Sequence, residues 1–271
     1  MTSLQRMLGL LDLFTEREPV WKVEGLMART ALSRATVYRY VRELCDAGLL
    51  ARVTASDYAL GPRIIELDRQ IRLSDPLFTA GAPVVADLVA ETGEIGILAS
   101  LYGDRMICVH VEHAPDAGIR LRMERGHVLP LFRGSTAKII LAHLPYRRLH
   151  ELYNDNTAAI AEAGLASDWS SFLRTLREIR AAGHYISIGE LNPAVRAIAA
   201  PLFNADGEIL GSLTLAMPRA RFTPERQDAL VAAAMAAAAR VGKEVARLTR
   251  APSGPKGAAG ARRAALSRRR A

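Results

Sequence analysis

Residues 33–50, SRATVYRYVRELCDAGLL, constrain the fold more than any other stretch of this chain. Val37, Val41 and Leu44 recur at i, i+4 and i+7, so a helix here buries one side. Arg34, Tyr38 and Arg42 follow at i, i+4 and i+8 on the opposite side, with Ala35, Thr36 and Arg39 beside them. Ser33 is placed to cap the helix, because its hydroxyl accepts from a free first-turn amide. Gly48 supplies the stop. One apolar face and one slim, basic face is the division a helix-turn-helix needs, since the polar face must enter a major groove about 12 Å wide. Arginine pairs with guanine edges or grips phosphate, and serine and threonine serve either role.

The flanking segments fit the same design. Leu4, Leu8, Leu11 and Phe14 predict a helix over 3–16, and Val23, Leu26 and Met27 predict a second over 21–29. Thr30-Ala31-Leu32 is the tight connection between that helix and the basic one. Strands over 49–53 and 58–60 enclose the polar tip Thr54-Ala55-Ser56-Asp57, forming a wing. The residues expected to face DNA are Ser33, Arg34, Ala35, Thr36, Tyr38, Arg39 and Arg42 on the helix, with Arg52, Thr54, Ser56 and Tyr58 on the wing. The same order of elements also suits a small module that grips protein, and that alternative stays open. Residues 63–73, with Ile64, Leu67 and Ile71 on one side, predict a linker helix, and Ser74-Asp75-Pro76 marks a boundary.

Beyond the boundary the pattern predicts a helix over 77–91 and strands over 95–102, 106–111 and 118–123. Helices follow over 136–144, 146–153 and 168–182, then strands over 185–188, 196–203 and 208–217, then a helix over 224–248. Strands grouped on either side of helices indicate an α+β domain, an antiparallel sheet with helices on its faces. The expected organisation is therefore a winged helix-turn-helix over 1–61, a linker helix over 62–75, a second domain over 76–250 and a disordered basic tail over 251–271.

Charge needs to be read by segment. The chain carries +8 overall, but residues 251–271 hold six basic groups and no acid, residues 1–73 are only +2, and residues 74–250 are neutral. The basic balance therefore says little about the folded part. Cys45 and Cys108 are too few for a disulfide framework and lack zinc-site spacing, which suits a reducing cytoplasm. No signal peptide and no membrane span is legible. The six histidines show no ligand spacing, so no metal and no cofactor is expected. Ser135 and Lys138 share a helix face as a Ser–Lys nucleophile would, but no oxyanion turn or further base lies nearby, and no enzyme is expected.

Several stretches together resemble the IclR family of bacterial regulators. They are the segment 33–50 above, YALGPRIIEL at 58–67, ETGE at 91–94, LPLFRGSTAKIILAHLP at 129–145, RAIAAPLFNADGEILGSL at 196–213 and RFTPER at 221–226. Their order spans most of the chain. The resemblance implies a GAF-like effector domain, double-stranded operator DNA as a partner, a small organic acid or aromatic metabolite as effector, and a homodimer or homotetramer. Repression is the expected sign of regulation. By position in the family, Ser135 and Thr136 match the effector pocket, and the expected effector-binding residues also take in Met123, Leu131, Arg133, Ser187, Glu190 and Ala197; Arg133 is expected either to meet an anionic effector or to pair with an acid such as Glu190. Ser187 and Ala197 stand where some keto-acid-binding members carry Asp and Cys, so those effectors do not transfer to this chain.

Overall fold

The computed structural model describes residues 2–250, which leaves the expected tail over 251–271 outside the described residues. The chain divides into two compact units that meet between Asp75 and Pro76.

The first unit opens with helix α1 (Ser3–Leu8), capped by the Thr2 side chain, and a 3-10 turn at Leu11–Leu13. The helix expected over 3–16 is thus broken. Gly9 is a poor helix former, and the chain tightens there as the Leu10 amide bonds the Met7 carbonyl at 3.2 Å. The break changes which leucines are buried: Leu10 and Phe14 enter the core, while Leu4 and Leu8 stay exposed. Strand β1 (Trp21–Lys22) was expected as helix. It pairs with the wing and precedes helix α2 (Val23–Thr30). Ala31 then takes the left-handed conformation, φ +54°, to make the tight turn into helix α3 (Arg34–Asp46). Strands β2 (Leu50–Arg52) and β3 (Asp57–Leu60) complete a three-stranded sheet in the order β1-β3-β2. Val37, Val41 and Leu44 from α3 pack with Leu10, Leu26, Leu50 and Tyr58. Helix α4 (Arg63–Ser74), expected as a separate linker, groups with this unit and buries no residue.

The second unit is one six-stranded antiparallel sheet covered on both faces. Helix α5 (Pro76–Thr92) leads into β4 (Ile95–Tyr102), β5 (Arg105–Glu112) and the two-residue β6 (Val128–Leu129). Helices α6 (Ser135–His143), α7 (Tyr146–Asp155), α8 (Thr157–Glu162) and α9 (Trp169–Ala182) follow. Strands β7 (Tyr185–Ile188), β8 (Val195–Phe203) and β9 (Ile209–Pro218) and the long helix α10 (Pro224–Arg250) close the unit. The strand order is β6-β5-β4-β9-β8-β7. Alternate strand residues point to opposite faces, so Leu98 and Ile198 join the core under α5 and α10, while Ala99 and Ala199 join the core under α6 and α9. Gly96 lets α5 lie close on β4, because a Cβ there would sit 2.4 Å from Val85 Cγ1.

The strand expected over 118–123 does not form. Its side chains alternate, with Ile119, Leu121 and Met123 partly buried and Arg120 and Arg122 exposed, yet residues 120–124 are assigned to no strand. The edge of β5 is taken instead by the chain after Gly126. Gly126 N–H donates to the Cys108 carbonyl, Cys108 N–H donates to the His127 carbonyl, and Val128 and Leu129 pair with Ile107 and Met106.

Candidate functional site

Two arrangements carry chemistry, one in each unit. In the first, Ser33 caps α3: its hydroxyl accepts from the Thr36 amide at 3.3 Å and lies 2.9 Å from the Thr36 hydroxyl. The first turn of α3 contains no acidic residue, so the positive end of the helix dipole is left uncompensated. Arg34, Ala35, Tyr38, Arg39 and Arg42 are exposed and Thr36 is half-buried, while Val37, Tyr40, Val41 and Leu44 face the core. Tyr38 sits beneath Arg34, whose guanidinium lies 5.5 Å from the ring centre. Arg42 contacts Asp46 at 3.8 Å in a fully solvated pair, an interaction that contributes little.

A groove of about 760 Å³ runs between α3 and the wing, lined among others by Tyr38, Arg39, Arg42, Arg52 and Tyr58. Arg52 is exposed. The wing tip is tied into its own turn: Thr54 Oγ1 donates to the Asp57 carboxylate and accepts from the Ser56 and Asp57 amides. Tyr58 requires a correction. It was expected on the outer surface, but it is the middle residue of the sheet and only 4 % exposed. A cross-strand core position was the better reading, since Tyr58 lies in register with Trp21 on one side and Arg52 on the other.

In the second unit a cavity of about 90 Å³ opens between the sheet and the start of α6. Six of the expected residues line it: Met123, Ser135, Thr136, Ser187, Glu190 and Ala197. Ser187 and Ala197 are in register across β7 and β8, so this wall is small and uncharged. Leu131 does not line the cavity and packs instead against the core under α6 and α9. Arg133 is likewise not a lining residue. Its guanidinium donates to the Glu190 main-chain carbonyl at 2.6 Å and so ties down the loop that follows β7.

Ser135 is 2 % exposed, and its hydroxyl has no hydrogen-bond partner. A buried hydroxyl left unpaired costs free energy, and a ligand group at this end of α6 could relieve that cost. Thr136 differs, because its hydroxyl meets Thr214 at 3.0 Å and its carbonyl accepts from Ser212 at 3.2 Å. Residues 211–217 are apolar apart from Ser212 and Thr214. Two polar side chains at i and i+2 on an otherwise apolar strand are the sequence signal of Thr214, which also lines the cavity.

Glu190 is the electrostatic centre of the wall. Lys138 Nζ approaches its Oε2 to 2.7 Å, the Gly134 amide donates to the same oxygen at 2.9 Å, and the Tyr185 hydroxyl donates to Oε1 at 3.0 Å. Burial alone would raise the Glu190 pKa, but the ammonium, the amide and the hydroxyl outweigh it and hold the carboxyl below its usual range. Lys138 is therefore committed to Glu190 and Tyr185, which leaves Ser135 without a base. Burial pushes the Cys108 thiol up to about 11, far from a reactive thiolate. Among the described residues no three His, Cys, Asp or Glu side chains could together hold a metal ion. No single helix there is long and apolar enough to cross a membrane.

Residues 3–54 match the IclR helix-turn-helix domain and residues 73–243 match the C-terminal domain of the bacterial transcriptional regulator IclR. The chain is 27 % identical over 244 residues to the HTH-type transcriptional regulator KipR of Bacillus subtilis, covering 90 % of this chain and 96 % of that one. It is 26 % identical over 223 residues to the Pca regulon regulatory protein of Pseudomonas putida, covering 82 % and 76 %. A solved IclR-type structure from Silicibacter superposes with a TM-score of 0.79 at 25 % identity, covering 90 % and 96 %. An IclR homologue from Microbacterium hydrocarbonoxydans complexed with 4-hydroxybenzoate superposes with a TM-score of 0.72 at 20 % identity, covering 90 % and 99 %. This chain belongs to the IclR family of bacterial transcriptional regulators.

Proposed function

We propose that the protein is a cytoplasmic repressor that binds a two-fold operator through α3 and releases it in response to a small organic or aromatic acid. The observation that carries the DNA half of this reading is the α3 surface. Four exposed side chains, Arg34, Tyr38, Arg39 and Arg42, stand beside an uncompensated helix start, ready for base edges and phosphates. Helix α4 supports a homodimer. Leu67 and Ile71 share its apolar face with Ile64 and remain 39 % and 52 % exposed, an area that a second copy would cover. Pairing two such dimers would give a homotetramer.

The unpaired Ser135 hydroxyl at the cavity supports the effector half, because a ligand oxygen there would satisfy it. The small, uncharged Ser187–Ala197 wall favours an apolar body over a compact keto acid. The Microbacterium homologue, whose structure holds 4-hydroxybenzoate, makes that compound the first effector to try. The cavity is far smaller than the roughly 300–1,000 Å³ of typical ligand pockets, so binding requires its walls to move. The segment over 120–124, which carries Met123 and belongs to no strand, is suited to that movement. A ligand that fits the opened form better would shift the population toward it, and with it the DNA affinity.

Fluorescence anisotropy tests the DNA half. Wild-type protein should bind one duplex from upstream of its own gene more tightly than a scrambled duplex. Arg39→Ala should weaken that binding by about 1–3 kcal/mol and narrow the preference. Equal binding of both duplexes by wild type, or an unchanged Arg39→Ala, would overturn the assignment of α3 as the reading helix.

A further inference from the structure

We infer that Tyr58 is a positioning residue for DNA binding, holding the Arg52 guanidinium from inside the wing as a preset clamp for a backbone phosphate. The inference rests on the DNA-binding reading above and concerns how one contact of that surface is built.

Tyr58 is 4 % exposed and cannot itself lie against a duplex. Its hydroxyl nevertheless accepts a hydrogen bond from Arg52 Nη2 at 2.9 Å, and the Arg52 guanidinium carbon lies 5.5 Å from the ring centre. The two residues face each other in register across β2 and β3. Tyr58 is itself fixed, because its other in-register neighbour is Trp21, whose indole N–H donates to the Leu13 carbonyl at 2.9 Å. A row of side chains thus runs from the 3-10 turn through the sheet to an exposed arginine.

The kind of partner matters. Arg63 is paired with Glu66 at 2.6 Å, which draws on its charge. Arg52 is tethered by a neutral hydroxyl and forms no ion pair with the described residues. Tethering uses one of its five donors and none of its charge. The remaining donors form the fork that suits phosphate. An untethered arginine loses side-chain freedom when it binds, and one already held in place loses less.

Tyr58→Phe removes only the hydroxyl and keeps the ring in the core. Anisotropy with the upstream duplex and a scrambled duplex, each over a salt series, should show both affinities falling by about 3- to 10-fold. The salt slope should move toward that of Arg52→Ala, which loses up to one phosphate contact. The double variant should bind no more weakly than Arg52→Ala alone, and the thermal midpoint of Tyr58→Phe should match wild type. If Tyr58→Phe melts early, the cycle still decides, because a purely structural loss adds to that of Arg52→Ala. Wild-type affinity in Tyr58→Phe, or full additivity in the double variant, overturns this inference and leaves the DNA-binding reading standing. Failure of the wild-type protein to bind either duplex overturns both.

Discussion

Replacing Glu94 with alanine is expected to lower the thermal midpoint of the second unit by about 6–12 °C, equivalent to a loss of about 3 kcal/mol. Glu94 is fully buried. Arg221 and Arg226 reach its Oε1 at 3.1 and 3.0 Å, yet neither carboxylate oxygen gains an aligned hydrogen bond. Burial pushes its pKa up, and the two guanidinium groups pull against that shift without cancelling it. The carboxylate is therefore costly to bury but necessary once the arginines point at it. Both arginines also anchor main chain. Arg221 donates to the Asp116 carbonyl, and Arg226 donates to the Arg221 and Thr92 carbonyls. Alanine leaves two cations facing an empty site and loosens the corner where α5, β4 and α10 meet. The arginines are about one-third exposed and rehydrate in part, which places the loss at the low end of the range for a broken buried pair. Glu94→Gln, which fills the same volume, should lose less. A midpoint for Glu94→Ala within about 2 °C of wild type, measured by calorimetry, would sink this assignment.

The second large effect concerns Lys138, and it depends on pH. Lys138→Met should cost about 2–4 kcal/mol at pH 7, because Glu190 would keep its charge beside the cavity without a counter-ion. In the wild type the Glu190 pKa is depressed on folding. Its contribution is therefore present above the unfolded value of about 4.3 and fades as pH falls through the folded value. In the methionine variant the ammonium's downward pull is gone while burial and the Gly134 and Tyr185 hydrogen bonds remain, so less stability is lost when the carboxyl protonates. The gap in thermal midpoint between the two proteins should narrow as pH falls from 7 to well below about 4.3. A gap that is constant across that range would show that Lys138 acts through packing alone.

The recognition segment was legible because its signals are local and agree. Ser33, the Val37, Val41 and Leu44 stripe and Gly48 each fall where capping, periodicity and termination require. The hairpin of β8 and β9 was readable for the same reason, from a turn sequence between two apolar runs. What escaped was decided by distant partners. The leucine spacing over 3–16 is that of one continuous helix, but Gly9 ends α1 and the chain tightens into a 3-10 turn. Residues 118–123 have the alternation of a strand, but the edge they needed is occupied by the chain after Gly126. Arg133 was expected to meet either an anionic effector or an acid such as Glu190; its partner is Glu190, reached 57 positions away through the main-chain carbonyl rather than the carboxylate. Glu94 and its arginines lie in two separate motifs, ETGE and RFTPER, and only the fold brings them together. Helix α8 anchors a single buried residue, Ile160, too little to leave a periodic trace.

DNase I protection across the DNA upstream of this protein's own gene addresses the central claim most directly. Site-specific binding by a two-fold pair of α3 helices predicts one protected stretch containing an inverted repeat. Its half-sites should lie about 10–10.5 base pairs apart, or a multiple of that spacing. Protection should shrink when a matching effector is added, and Arg39→Ala should abolish it at the same protein concentration. Uniform protection of all the DNA, rising with protein and erased by modest salt, would reveal only charge-driven binding and contradict the account.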